Sequence, residues 1–189
     1  MLNYEIFPNP CPYSAVYKAN KDVSTVSFST DRALEHVKEL SKEPHAVGFP
    51  GHERVKSYII SELKKMGLET TTQEGYTAGD WGNLSKATNI LARIKGTSNR
   101  KALLLLSHYD SSPHSSYGAS DAGSGVATIL EGVRAFLSAN KTPKNDIIIL
   151  ITDAEELGLN GADLFVKNHP WAKDVGLALN FEARGSGGP

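Results

Sequence analysis

The stretch Ile147–Ala162, I-I-I-L-I-T-D-A-E-E-L-G-L-N-G-A, decides the reading of this chain. Ile147 to Ile151 are apolar without a break, the pattern of a strand buried on both faces. The chain leaves that strand through Asp153, Glu155 and Glu156. Open α/β sheets place their chemistry at such carboxyl ends of strands. Two adjacent carboxylates point in different directions, so one can hold a metal while the other handles a proton. Taken alone, an acidic pair is more often a solvated helix start favoured by the helix dipole. Two other apolar strands ending in metal-type ligands shift that balance.

Working outward, Ala102–Leu106 is a short apolar strand that exits through Ser107, His108, Tyr109 and Asp110. Val175–Phe181 is a third, ending at Glu182. Between them, Asp121 opens a helix whose core face is Val126, Ile129, Leu130, Val133, Phe136 and Leu137. Gly123 and Gly125 in its first turn cost about 1 kcal/mol each relative to alanine, and their use is to let backbone or a ligand come close. A further helix runs from Leu157 or Gly158 to Asn168. Upstream, helices are expected over Thr30–Lys42, capped by Ser29 or Thr30, and over His52–Met66, ended by Gly67. Leu68–Gly75 reads as an exposed edge strand, residues 76–86 as a loop, and Thr88–Lys95 as a strand half open to water. Residues 1–29 form an irregular, extended N-terminal segment, since Pro8, Pro10 and Pro12 argue against helix. Helices alternating with apolar strands give an α/β, three-layer sandwich: a mostly parallel mixed sheet covered by helices on both faces.

Bulk composition narrows the function. At 189 residues the chain is long enough for one domain with a sizeable core. A net charge of −1 gives no electrostatic footprint for nucleic acid. With one cysteine, Cys11, neither a disulfide within the chain nor a cysteine-based zinc site is possible, so histidine and carboxylates must carry any metal. No apolar run is long enough for a transmembrane helix, and no signal peptide is visible. The residues themselves do not place the protein in a compartment.

If the apolar strands are neighbours, His108, Asp110, Asp121, Glu155, Glu156 and Glu182 all meet at one edge of the sheet. One histidine with several carboxylates suits zinc, manganese or cobalt, and a carboxylate bridging two ions fits a two-metal site. Asp110 is placed to accept the second imidazole N–H of His108 and fix its tautomer. Glu155 is then free to act as the general base on metal-activated water. Each residue alone has an ordinary structural explanation: a helix cap for Asp121, an exposed strand end for Glu182, a backbone-bonded histidine for His108.

The runs S-H-Y-D-S, G-A-S-D-A-G-S-G-V-A, D-A-E-E-L-G-L-N-G-A and N-F-E-A-R-G, in that order and spacing, resemble the co-catalytic dizinc peptidases of metallopeptidase family 28. Flanking runs A-L-E-H-V-K-E-L and T-N-I-L-A-R-I-K-G match as well. H-P-W-A-K-D-V and E-A-R-G-S-G-G-P look most like the membrane-anchored endoplasmic-reticulum and vacuolar branch with its bacterial relatives. The resemblance covers about residues 30–189 and makes them the N-terminal portion of a zinc-exopeptidase-like domain. It implies two Zn2+ per complete domain. His108 and Glu182 would bind one, Glu156 the other, and Asp121 would bridge them. Glu155 would be the general base and Asp110 the residue that orients His108. The implied activity is peptide-bond hydrolysis, as an aminopeptidase, on a peptide substrate. The family's last zinc histidine lies downstream of Glu182, so the chain is expected to be C-terminally incomplete, weakly active or inactive, and prone to self-association through apolar surface. Membrane attachment would come through segments outside the chain, with a membrane-associated or extracytoplasmic location. Alternatives are a single-zinc acyltransferase like glutaminyl cyclase and a non-catalytic binding domain on the same fold.

The remaining candidates read as structural. His45 and His52 sit in a Pro- and Gly-rich loop and more often brace such a loop than bind metal. His114 is expected to be solvated and His169 to finish a helix. Arg184 is a surface ion-pair partner before it is a substrate contact. Asp153 is expected to brace the Glu155–Glu156 turn, and Cys11 to be inert.

Overall fold

A computed structural model describes residues 23–183 except positions 80 and 99. Cys11, most of the extended N-terminal segment and Arg184 lie outside the described residues. Among the described residues four α-helices, α1 (Thr30–Leu40), α2 (Pro50–Lys65), α3 (Gly123–Ser138) and α4 (Asn160–Asn168), accompany five strands. These are β1 (Thr70–Ala78), β2 (Leu84–Ile94), β3 (Ala102–His108), β4 (Ile147–Thr152) and β5 (Val175–Asn180). The spatial order is β1-β2-β4-β3-β5. β4, β3 and β5 run parallel, while β2 is antiparallel to β4 and β1 to β2. The sheet is therefore mixed, and its parallel part is the part whose carboxyl ends carry the acidic residues.

The unbroken apolar run of β4 is explained by what covers each face. Ile149 and Ile151 pack with Leu40, Val55, Ile59, Leu63, Val126 and Leu130 from α1, α2 and α3. Ile148 and Leu150 point the other way, against Leu91, Leu104 and Phe165 of α4. Ile148, Ile149 and Ile151 are completely buried, each contributing roughly 1.5–3 kcal/mol over leaving it exposed. The layers are thus helices, sheet, helix, as the sequence pattern predicts.

Boundaries differ from expectation in four places, each for a local reason. α2 starts at Pro50 rather than His52, because proline suits the first helical position. α3 starts at Gly123, leaving Asp121 outside it; the Gly123 N–H donates back to the Gly118 carbonyl at 2.8 Å. The loop expected over 76–86 is largely hairpin, with Tyr76 opposite Lys86 and Ala78 opposite Leu84. The Asn160 side-chain amide fastens that hairpin by donating to the Thr77 and Asn83 carbonyls and the Ser85 hydroxyl. Finally, the helix expected from Leu157 is a short 3-10 turn, Glu155–Leu157, separated from α4 by left-handed Gly158 (φ 117°) and Leu159 (φ 62°). β5 forms one edge of the sheet, with Leu177 and Leu179 exposed. Among the described residues no helix is long and apolar enough to cross a membrane.

Candidate metal centre

Parallel registration brings the strand exits together. His108 at the end of β3 lies opposite Thr152 at the end of β4, and the Tyr109 N–H donates to the Thr152 carbonyl at 3.0 Å. On the other side the Phe181 N–H donates to the Leu106 carbonyl at 2.8 Å, which sets Glu182 beside His108. The first turn of α3 must pass close to both. A Cβ on Gly125 would collide with the Phe181 carbonyl and the Ser107 hydroxyl, so the glycine there admits backbone.

His108 is 1% exposed, with Nε2 turned toward carboxylates. Asp121 Oδ1 lies 3.1 Å from Nε2, Glu182 Oε1 3.7 Å and Glu155 Oε2 3.8 Å. Ligand atoms of His108, Asp121 and Glu182 all lie within 4.8 Å of one another. The other ring nitrogen, Nδ1, sits 3.0 Å from the Asp110 backbone carbonyl and 3.4 Å from its carboxylate Oδ1. Asp110 thus meets the imidazole chiefly through its main chain. Its carboxylate is committed elsewhere: Oδ1 accepts the Glu155 N–H at 3.0 Å and Oδ2 the Glu156 N–H at 3.1 Å.

So many carboxylates around one imidazole leave an electrostatic mark. Burial lowers the pKa of His108, but the charges of Asp110, Glu155 and Glu182 outweigh it and push the imidazole up to about 9. Burial, then the neighbouring carboxylates Glu182, Asp110 and Asp121, raise Glu155 above the usual carboxylate range. Burial, then Asp121, push Glu156 up to about 7. A concave group of acids in this state is relieved by a cation.

The donor set fits zinc. One imidazole and two carboxylates within reach of a common point match a three-ligand catalytic zinc with an open position. A second observation concerns Glu156. Among the described residues its Oε1 is buried with no hydrogen-bond partner, the state of an oxygen open to a ligand. Glu156 stands outside the His108–Asp121–Glu182 group, among the described residues.

Of the other histidines, His45, His52 and His169 make bracing contacts. His45 is 2% exposed and exchanges contacts with Ser111, its N–H donating to the Ser111 hydroxyl at 2.9 Å. His169 stacks on Phe165 and accepts the Trp171 N–H. His114 is exposed. His52 contacts Asp153, 2.7 Å away, a pairing across 101 residues that no local signal in the sequence announces. Glu131, fully buried inside α3, has only Arg134 three residues on as a signal in the sequence.

The model for the family described as Peptidase family M28 matches residues 89–189. Curated relatives include vacuolar membrane proteases of Candida dubliniensis and Yarrowia lipolytica. The first is 36% identical over 92% of this chain and 20% of its own length; the second is 32% identical over 79% and 17%. The chain therefore spans about a fifth of these relatives. Among solved structures, a Zn-dependent exopeptidase from Parabacteroides distasonis aligns with a TM-score of 0.64 and 27% identity, over 78% of this chain and 58% of that one. Porphyromonas gingivalis glutaminyl cyclase aligns with a TM-score of 0.74 and 24% identity, over 85% and 60%. At that identity the cyclase speaks for the fold alone.

Proposed function

The chain belongs to peptidase family M28, and on that premise we propose that it carries residues of a zinc-dependent exopeptidase centre, of aminopeptidase type, acting on a peptide substrate. In this reading His108, Asp121 and Glu182 would hold one Zn2+, and Glu156, with Asp121 shared, would hold a second. When bound, zinc supplies Lewis acidity toward the scissile carbonyl and makes water easier to deprotonate near neutral pH. Asp110 holds the imidazole through Nδ1 and the acidic turn through its carboxylate.

The observation that carries the proposal is the position of Glu155. Its Oε2 lies 3.8 Å from His108 Nε2, at the rim of the ligand group, with a carboxyl that burial raises above its ordinary range. A base so placed takes a proton from the attacking water at Oε2 and returns it to the leaving amine. The names of the curated relatives support membrane association, which would come through segments other than those described.

A second reading is a single-zinc acyltransferase of the glutaminyl-cyclase kind. It is favoured by one observation: His108, Asp121 and Glu182 form a sufficient ligand set for one ion without Glu156. A non-catalytic binding domain has no such observation in its favour.

The test is Glu155→Gln in the full-length protein, assayed on aminoacyl p-nitroanilides and on an N-terminal glutaminyl peptide, with zinc content measured alongside. We expect zinc to be retained and amide hydrolysis to fall by about 100-fold or more. Undiminished hydrolysis would remove Glu155 as the base. One zinc per chain with cyclisation of the glutaminyl peptide and no hydrolysis would establish the second reading instead.

A further inference from the structure

The turn that carries Glu155 and Glu156 is clamped from two sides. Asp110 holds the Glu155 and Glu156 N–H groups. On the other side stands Asp153, completely buried at the end of β4. Its Oδ1 accepts the Ala154 N–H at 2.7 Å, and its Oδ2 accepts the Thr88 N–H of β2 at 2.8 Å. Ala154, also completely buried, has φ 54° and ψ 37°. A left-handed alanine is unfavourable and persists only where its surroundings fix it. That step turns the chain out of β4 and presents the next two residues to Asp110 and the ligand group.

A further partner of Asp153 comes from α2. His52, in the first turn of α2, brings Nε2 to 2.7 Å from Asp153 Oδ1. Its ring is stacked on Tyr109, 4.9 Å between centroids at 28°. Tyr109 is itself pinned, its hydroxyl donating to the Thr88 carbonyl at 3.1 Å. The imidazole is therefore fixed in plane and direction by a residue that lies between His108 and Asp110 in sequence. A fully buried carboxylate demands such donors.

We propose that His52 is a positioning residue: through Asp153 it sets the left-handed step at Ala154, and so aims the Glu155–Glu156 turn at the metal centre. Its importance for hydrolysis rests on the roles given above to Glu155 and Glu156; the mechanical link does not. His52 touches no ligand in the group itself.

Two variants of this chain test the link, without zinc and without an activity assay. His52→Leu removes the donor, and His52→Gln keeps an N–H donor at similar reach. Amide hydrogen exchange is followed residue by residue. In His52→Leu, exchange at Ala154, Glu155 and Glu156 should quicken by roughly tenfold, the scale of one lost buried hydrogen bond. Residues 147–152 of β4 should not change, and His52→Gln should restore most of the protection. Unchanged exchange at 154–156 in His52→Leu overturns the proposal. So does acceleration spread evenly over β4 and α2, which is what a residue serving general stability would give. Should His52→Leu not fold, His52→Asn, whose amide falls short of Asp153, takes its place with the same outcomes: faster exchange confined to 154–156 supports the link, and unchanged exchange there overturns it. Neither result bears on the Glu155→Gln outcome, so the two assignments fail separately.

Discussion

Asp110 Oδ1 accepts the backbone N–H of Glu155 at 3.0 Å, joining the exit of β3 to the exit of β4. The carboxylate is 1% exposed and also takes the Glu156 N–H. Asp110 therefore makes two links, one to His108 through its main chain and one to the Glu155–Glu156 turn through its carboxylate. Asp110→Asn places an amide NH2 against one of the two N–H donors. That leaves a buried donor unpaired, at a cost of about 1–3 kcal/mol. The expected result is a lower urea midpoint together with zinc affinity weakened by about 10–100-fold. A variant with weakened zinc binding and unaltered stability would show that Asp110 acts on His108 alone.

Asp121 is the contrasting case. Its side chain is 51% exposed, and its contact with His108 Nε2 is of the kind a metal would replace. Among the described residues its one side-chain hydrogen bond is the contact with His108. Asp121→Asn should therefore leave stability within about 0.5 kcal/mol, while zinc retention drops by about 100-fold, at or beyond the loss of an outer-sphere partner. Thermal unfolding of the metal-free chain and a zinc competition titration measure the two quantities. If both metals are lost together, the bridging role follows; retention of one would assign Asp121 to a single ion.

What the sequence discloses and what it hides divide along physical lines. Ile147–Ile151 announces a two-faced strand, because apolar side chains on both parities have no other use. The abrupt change from apolar strand to His108, Glu155 and Glu182 places these residues at one edge of the sheet, since parallel strands end together. Element ends were harder. Asp121 looks like a helix cap, yet α3 begins at Gly123 after a bond back to Gly118. The Asn160 amide lengthens a hairpin formed by residues far from it in sequence. His52 and Asp153 are paired by the sheet and α2, and periodicity cannot report such a pairing. The dual task of Asp110 depends on the path of the Glu155 backbone, which no side-chain pattern encodes.

At the opposite end of the sheet, Asp146 gives a pH signature. Burial raises its pKa, but the Gly96 N–H, Lys95 and Arg93 outweigh this and hold it down to about 2, against an ordinary value of 3.8. A carboxylate depressed in the folded state contributes stability above its unfolded pKa and loses it as pH falls through the folded one. The contribution of Asp146 is therefore complete above about pH 4 and disappears toward pH 2. Asp146→Asn should lower the urea midpoint at neutral pH and flatten the dependence between pH 4 and pH 2. A variant whose acid dependence parallels that of wild type would show that other carboxylates govern this window.

Glu131 is a fully buried carboxylate away from the candidate metal centre. Its side chain is fully buried in α3, and Oε1 accepts from the Ser29 N–H at 2.8 Å, Arg32 Nε at 3.0 Å and Arg134 Nη2 at 2.8 Å. Burial opposes the charge, but Arg134, the Ser29 N–H and Arg32 hold the carboxyl below its ordinary range. The same two arginines donate onward to the carbonyls of Val23, Ser24, Thr25 and Ser27. Glu131 is therefore the anchor by which the chain before α1 is fastened to α3. Glu131→Ala leaves both guanidinium groups without their counter-charge. Breaking a buried ion pair in this way costs about 3–5 kcal/mol, and the partial exposure of Arg32 and Arg134 puts this case near the lower end. Glu131→Gln keeps part of the hydrogen bonding and should cost less. Urea unfolding gives the magnitudes, and limited proteolysis gives the place: residues 23–29 should become the first point of cleavage in Glu131→Ala. A loss of stability with no new cleavage there would mean that Glu131 supports α3 alone.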